Sequence, residues 1–319
     1  MTMQAVTAEN VKRATREAYG DALVELGRTR DDIVVLDADL SKSTMTVRFA
    51  KEFPDRFFNC GIAEQNMIGT AAGLAAAGLV PFASTFAVFA TGRAYDQIRQ
   101  SIAYPRTNVK ICASHAGLTV GADGATHQAL EDIALMRALP NMSVVVPADD
   151  LETLQAVKAA AEHVGPVYVR LGRHPVPRVM GSDYRFALGR SSTVRSGGDV
   201  AIFACGVGVS LALSAAEIMR DRGLDAEVVN VSSIKPIDVE TIVSSARKCR
   251  RVVTVEEHSV IGGLGGAIAE VLSENEPVPM RRVGVPDCFG QSGGPEELLR
   301  EYGLSPERIA EVAESLVKG

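Results

Sequence analysis

Short, nearly continuous apolar runs alternate along the chain with stretches of helical period. Ile33–Leu36, Val80–Phe82, Val109–Ser114, Ser143–Val146 and Val167–Leu171 predict strands, with helices over about Val11–Leu26 and Leu151–Ala161 between or before them. Runs that are apolar throughout, rather than alternating, belong to parallel strands covered on both faces. Residues 172–199 interrupt the pattern with Pro, Gly, Ser and Arg and read as a linker. After it the pattern restarts. Val200–Cys205, Ala226–Val231, Arg251–Glu256 and Arg282–Val285 predict strands, and Val207–Arg222, Val239–Ala246, Gly263–Ser273 and Pro306–Val317 predict helices. Such alternation predicts the α/β class, as two doubly wound, mostly parallel-sheet domains spanning 1–185 and 186–319.

Charge narrows the partners. With 33 Lys and Arg against 39 Asp and Glu, the net charge is −6, and no basic run offers a nucleic-acid footprint. The five cysteines are scattered, odd in number and without CxxC spacing, so neither a disulfide framework nor a zinc site is expected. A reduced, cytoplasmic protein is the expectation, and the N-terminal residues lack the apolar run of a secretory leader. Residues 65–92 carry no charge and are long enough to cross a bilayer. Gly69, Gly73, Gly78 and Pro81 interrupt them, and no basic cluster or aromatic belt flanks them. They predict a small-residue helix, a turn and a buried strand, with no membrane partner.

Two segments carry candidate chemistry. In NCGIAEQNM, Glu64 opens the Gly- and Ala-rich helix. A carboxylate there is either a simple N-terminal helix acid, favoured by the free amide groups, or a buried acid that shares a proton, since burial disfavours the charged form. The second segment, HAGLTVGADGATHQ, follows the predicted strand Val109–Ser114 and so leaves the carboxyl end of a sheet, where open α/β folds place ligands. His115, Asp123 and His127 lie in it, but the histidine spacing is not that of a helical metal pair. Gly117, Gly121 and Gly124 suggest tight bends or a close backbone approach.

Together GIAEQNMIGTAAGLAAAG, STFAVFATGRAYDQ and GADGATHQALEDIALMRALPNMSVVVPAD resemble the transketolase family of thiamine diphosphate enzymes. The resemblance runs from about residue 8 to the C-terminus. It covers the pyrimidine-binding and C-terminal domains and omits the diphosphate-binding domain with its GDG…N metal motif. It implies the second subunit of a split transketolase. Such a subunit works with an N-terminal partner in an α2β2 assembly that holds Mg²⁺ and diphosphate mainly on the partner. The substrates implied are sugar phosphates. By the same resemblance Glu64 hydrogen-bonds N1′ of the thiamine aminopyrimidine and stabilises its imino form, while Phe86 and Phe89 pack against that ring. Asp39 is implied near the cofactor. Arg16, Ser43, His115 and Arg173 are implied at the substrate phosphate, and Asp123 and His127 near the substrate hydroxyls. His115 and His127 are thus implied catalytic residues beside Glu64. Gly92 departs from the family, which often carries an aromatic there, so the pyrimidine pocket is expected to be looser or completed differently.

Two relatives share parts of this pattern: the beta subunit of 2-oxo acid dehydrogenases, and 1-deoxyxylulose-5-phosphate synthase. A non-catalytic assembly subunit is a third reading. The run GGLGG at 262–266 lacks dinucleotide-fingerprint spacing and predicts a close helix–strand packing turn. No catalytic residue is assigned to the second domain. The small-residue helix after Glu64 is expected to pack against its symmetry mate.

Overall fold

The computed structural model describes residues 11–318. The first ten residues of the segment to which the leader expectation applies lie outside them. The strands are β1 (Lys12–Arg13), β2 (Ile33–Asp37), β3 (Phe57–Asn59), β4 (Val80–Phe86), β5 (Lys110–Ser114), β6 (Ser143–Val145) and β7 (Val167–Arg170). They continue with β8 (Val176–Pro177), β9 (Ser192–Arg195), β10 (Val200–Ala204), β11 (Ala226–Asn230), β12 (Ser233–Lys235), β13 (Val252–Ser259) and β14 (Met280–Val285). One sheet runs β12-β6-β7-β5-β4-β2-β3 and a second runs β14-β13-β10-β11-β9. All pairs in these two sheets are parallel except those made by β12 and β9, each an antiparallel edge strand.

Alternate residues of the central strands supply two separate cores, as the pleat requires. From β2, β4 and β5, Ile33, Val35, Phe82 and Cys112 face the helices Thr15–Thr29 and Asp150–Glu162, meeting Tyr19, Leu23 and Val157. Leu36, Ala83, Ile111 and Ala113 face the other way, toward Met67 and Ile68 of the helix Glu64–Ala76 and Ile133 of Asp132–Ala138. That second core continues through Ala201, Phe203 and Cys205 into the second sheet, so the two halves share one apolar layer. Val200, Ile202 and Ala204 point away from it onto the helices Gly208–Asp221 and Pro306–Lys318.

Capping fixes several helix starts. Asp149 Oδ1 accepts from Glu152 N at 2.8 Å, and Asp238 Oδ1 from Thr241 N at 3.1 Å. Residues 65–92 form most of the Glu64–Ala76 helix, a turn through Gly78 and then β4. Among the described residues no helix is long and apolar enough to cross a membrane.

The expected linker is more structured than its composition suggests. Within 172–199, β8 pairs with β1, and β9 forms the edge of the second sheet. β4 runs to Phe86 rather than Phe82, because Ser84 is satisfied by Tyr19 Oη at 2.6 Å and the strand stays buried. β13 likewise runs past Glu256 to Ser259, with Glu257 and His258 buried.

Candidate active site

Parallel pairing puts the carboxyl ends of β2, β4, β5 and β7 on one edge of the first sheet. Asp39 follows β2, Phe86 ends β4, His115 follows β5 and Arg173 follows β7. An edge of this kind is where open α/β sheets gather ligand-binding groups.

Glu64 is the first residue of its helix and only 1% exposed. Its spacing from Met67, Ile68 and Ala71, the buried residues of the helix, places it on the core-facing stripe. Arg93 Nη1 donates to both carboxylate oxygens, at 2.9 and 2.8 Å. Arg93 ends a π-helical turn over Phe89–Arg93, and its guanidinium carbon lies 4.7 Å from the Phe89 ring centre. Phe89 and Phe86 stack at 5.9 Å, and the His115 ring stacks on Phe86 at 3.8 Å. His127 meets both phenylalanines edge-on, at 6.3 and 5.4 Å, and its Nδ1 lies 2.9 Å from Thr126 Oγ1.

His115 is buried in a left-handed conformation, φ 57°, with Nδ1 at 2.9 Å from Ser114 Oγ. Burial, then the positive charges of Arg16 and Arg173, push its pKa down to about 3, so the ring is neutral near physiological pH. Arg16 Nη1 donates to the carbonyl of Ser43 at 2.7 Å, so it is the Ser43 backbone, rather than its hydroxyl, that meets the cation. Arg16 Nε is buried with no hydrogen-bond partner. Burial and the nearby Arg173 both lower the Arg16 pKa. Arg173 donates to Val120 O at 2.6 Å and pairs with Asp123 Oδ2 at 3.1 Å. These cations border an open pocket of about 540 Å³ that also includes Thr119, His174, Gly293 and Gly294. Two like charges held together, one with an unsatisfied donor, make a site suited to an anion.

The structure therefore joins Glu64, Phe86, Phe89, His115 and His127 through ring and ion-pair contacts. Arg16 and Arg173 act on His115 through their charge, and they in turn hold the Ser43 carbonyl and Asp123. Asp39 stands apart. It is exposed, with φ 62°, accepts from Asn59 Nδ2 at 3.0 Å, and among the described residues makes no hydrogen bond, ion pair or ring contact to the cluster. Two neighbours of the site escape the sequence reading. Arg93 is one, although a cation one residue from the missing aromatic at Gly92 is a usable signal. The other is Glu257, from the second half, which accepts from Thr119 N at 2.6 Å and occupies the space a Cβ on Gly117 would need, where φ is 82°. In the GGLGG run, Glu256 accepts from Leu264 N and Gly265 N at 2.6 and 2.8 Å and crowds Gly263, which is a packing turn as expected.

A buried carboxylate, an aromatic wall and a neutral histidine thus lie together at the carboxyl edge of a parallel sheet in an α/β chain. The family comparisons agree. The transketolase pyrimidine-binding domain matches residues 11–178, and the transketolase C-terminal domain matches 189–309. A putative transketolase C-terminal section of Methanocaldococcus jannaschii is 51% identical over 96% of both chains. An apulose-4-phosphate transketolase subunit of Phocaeicola vulgatus is 43% identical over 96% of this chain and 98% of its own. A solved split gene transketolase, an inactive beta4 tetramer, superposes with a TM-score of 0.90 at 57% identity, covering 96% of this chain and 98% of the other. The chain belongs to the transketolase family of thiamine diphosphate-dependent transferases and corresponds to its C-terminal section. These relatives do not favour the 2-oxo acid dehydrogenase or deoxyxylulose phosphate synthase readings.

Proposed function

We propose that the chain is the C-terminal subunit of a thiamine diphosphate-dependent transketolase, moving a two-carbon ketol unit between sugar phosphates. In this reading it acts with a separate N-terminal subunit that holds the diphosphate and Mg²⁺, in an α2β2 assembly. The observation that carries it is Glu64, a buried carboxylate whose Arg93 partner lies over the wall formed by Phe89 and Phe86. A carboxylate acceptor beside an aromatic wall fits a planar ring bearing N–H donors.

When bound, thiamine diphosphate supplies the nucleophilic carbon that carries the two-carbon unit. Glu64 would hold the hydrogen bond to ring N1′, and Phe86 and Phe89 would cover a ring face. His115, kept neutral, can exchange a proton through Nε2 while Nδ1 is engaged with Ser114. His127 and Asp123 would meet substrate hydroxyls, Arg16, Arg173 and Ser43 the substrate phosphate, and Asp39 the cofactor's neighbourhood. We place the domain division at 185/186. A cytoplasmic setting, with no nucleic-acid or membrane partner, completes the proposal, and the free state of all five cysteines supports it.

The direct test is ketol transfer from xylulose 5-phosphate to ribose 5-phosphate with thiamine diphosphate and Mg²⁺. Activity is expected from the chain with its N-terminal partner and not from either alone; no transfer by a stable complex would overturn the reading.

Replacing Arg16 by Ala is expected to raise KM for a phosphorylated acceptor by about 10–100-fold, the size of a lost charge-assisted hydrogen bond. The kcat should change little, and an unphosphorylated sugar should not register the substitution. Equal effects on both sugars would remove Arg16 from the phosphate site.

Gly69 and Gly73 lie on the exposed face of the Glu64–Ala76 helix, with no atom within 4 Å of a Cβ built on either. Gly73→Leu should therefore leave the fold intact and impair self-association. Unchanged sedimentation would count against this helix as the contact.

A further inference from the structure

The Arg93 contact deepens this reading of the site, and rests on it. Among the described residues no other hydrogen bond reaches the Glu64 carboxylate, and both of its oxygens are taken by one Arg93 nitrogen. The same guanidinium lies over the Phe89 ring, at 4.7 Å. A guanidinium is flat, carries N–H donors along its edge and stacks on aromatic faces. An aminopyrimidine protonated at its ring nitrogen offers the same two faces: an N–H edge for a carboxylate and a π-surface for a phenylalanine. We propose that Arg93 is an internal surrogate for the cofactor's aminopyrimidine, filling its place between Glu64 and Phe89 until ring entry displaces it.

Three features fit this role. Glu64 is 1% exposed, so an empty pocket would leave a buried carboxylate with no counter-charge, a costly state. Arg93 is 48% exposed at its side chain, so a path into water is open and release regains hydration. The preceding residue, Gly92, has open space around it, and the turn that carries Arg93 is wound wider than an α-helix. A widened turn of this kind, found often at functional sites, lets a side chain change its aim locally. The pocket is thus completed by a displaceable cation one residue beyond the position where the family often has a fixed aromatic.

Displacement has a thermodynamic signature. A ligand that must expel a competitor binds with its intrinsic affinity reduced by the fraction of pockets that stand open. Arg93→Ala should then tighten thiamine diphosphate binding to the assembled complex by about tenfold, read by calorimetry at fixed Mg²⁺. In a Glu64→Gln background the guanidinium has no anion to hold, and Arg93→Ala should change that affinity by less than about twofold.

The free chain gives a second readout. Arg93→Ala should lower its thermal midpoint, and low millimolar methylguanidinium should restore it where the same concentration of sodium chloride does not. Arg93→Lys, which keeps the charge and loses the flat face that stacks on Phe89, should fold and bind the cofactor with intermediate affinity. Unchanged or weaker cofactor binding in both Arg93 variants would make Arg93 a permanent partner of Glu64 and overturn the inference alone. Failure of the wild-type complex to bind thiamine diphosphate at all would overturn the proposed function and the inference together.

Discussion

Replacing Glu64 by Ala is expected to reduce ketol transfer by the assembled complex by about 10²–10⁴-fold, the usual range for a lost acid–base group. The fold should survive. Glu64 is buried, but its counter-ion Arg93 is 48% exposed at its side chain, so the substitution removes the buried charge and leaves a cation that water can solvate. The neighbouring turn of the helix stays anchored by Met67, Ile68 and Ala71. Sedimentation and the circular-dichroism spectrum should match those of the parent complex, and activity alone should fall. A complex of unchanged mass that retains more than about a tenth of its activity would remove Glu64 from the chemistry. It would also favour the non-catalytic assembly reading, since a scaffold has no use for that carboxylate.

The legible parts of this molecule are those dictated by local pattern. The mostly apolar strands starting at Ile33, Lys110 and Val167, and the helix opening at Glu64, follow from burial on both faces and from small-residue spacing. The glycines of the loop after β5 sit at positive φ, as a tight path around a ligand edge requires. What escapes is set by contacts distant in sequence. β12 is only three residues, Ser-Ile-Lys, too short for a periodic signal, and only its pairing with β6 in the other half makes it a strand. The apolar pattern of β13 stops at Glu256, where charged residues argue against a buried strand. Helix amides at Leu264 and Gly265, Thr119 N for Glu257 and Ala134 N for His258 satisfy those groups instead. Arg93 is hidden for the same reason. Its role depends on a widened turn and on a carboxylate 29 residues away, neither of which leaves a periodic trace.

The largest stability effect is expected from Arg170→Met. Arg170 and Asp132 are 6% and 0% exposed at their side chains, and Nε donates to Oδ2 at 2.8 Å. Tyr168 Oη donates to the same oxygen at 2.6 Å. Arg170 Nη2 also reaches the carbonyls of Ala129 and Glu257, at 3.2 and 2.9 Å, so one side chain ties the end of β7 to the site loop and to β13 of the second sheet. Removing the cation strands a buried carboxylate, which should cost about 3–5 kcal/mol. The double variant Arg170→Met, Asp132→Leu should recover much of that, because a well-packed apolar pair often replaces a buried ion pair at little cost. The pH dependence has a definite sign. Burial alone would raise the Asp132 pKa, but Arg170, with His258 and the hydrogen bonds, outweighs it and holds the value below normal. The parent therefore keeps this contribution above the unfolded carboxylate value, near pH 4, and loses it as pH falls further, through the depressed folded value. Without Arg170 only burial acts strongly, the folded pKa rises, and protonation relieves the penalty. The gap between parent and Arg170→Met in urea midpoint should then be wide near pH 7 and narrower near pH 5. A gap that is flat or widens on acidification would mean that Asp132 is not the stranded charge. Because Arg173 lies just beyond the end of β7, the same variant should also raise KM for phosphorylated sugars.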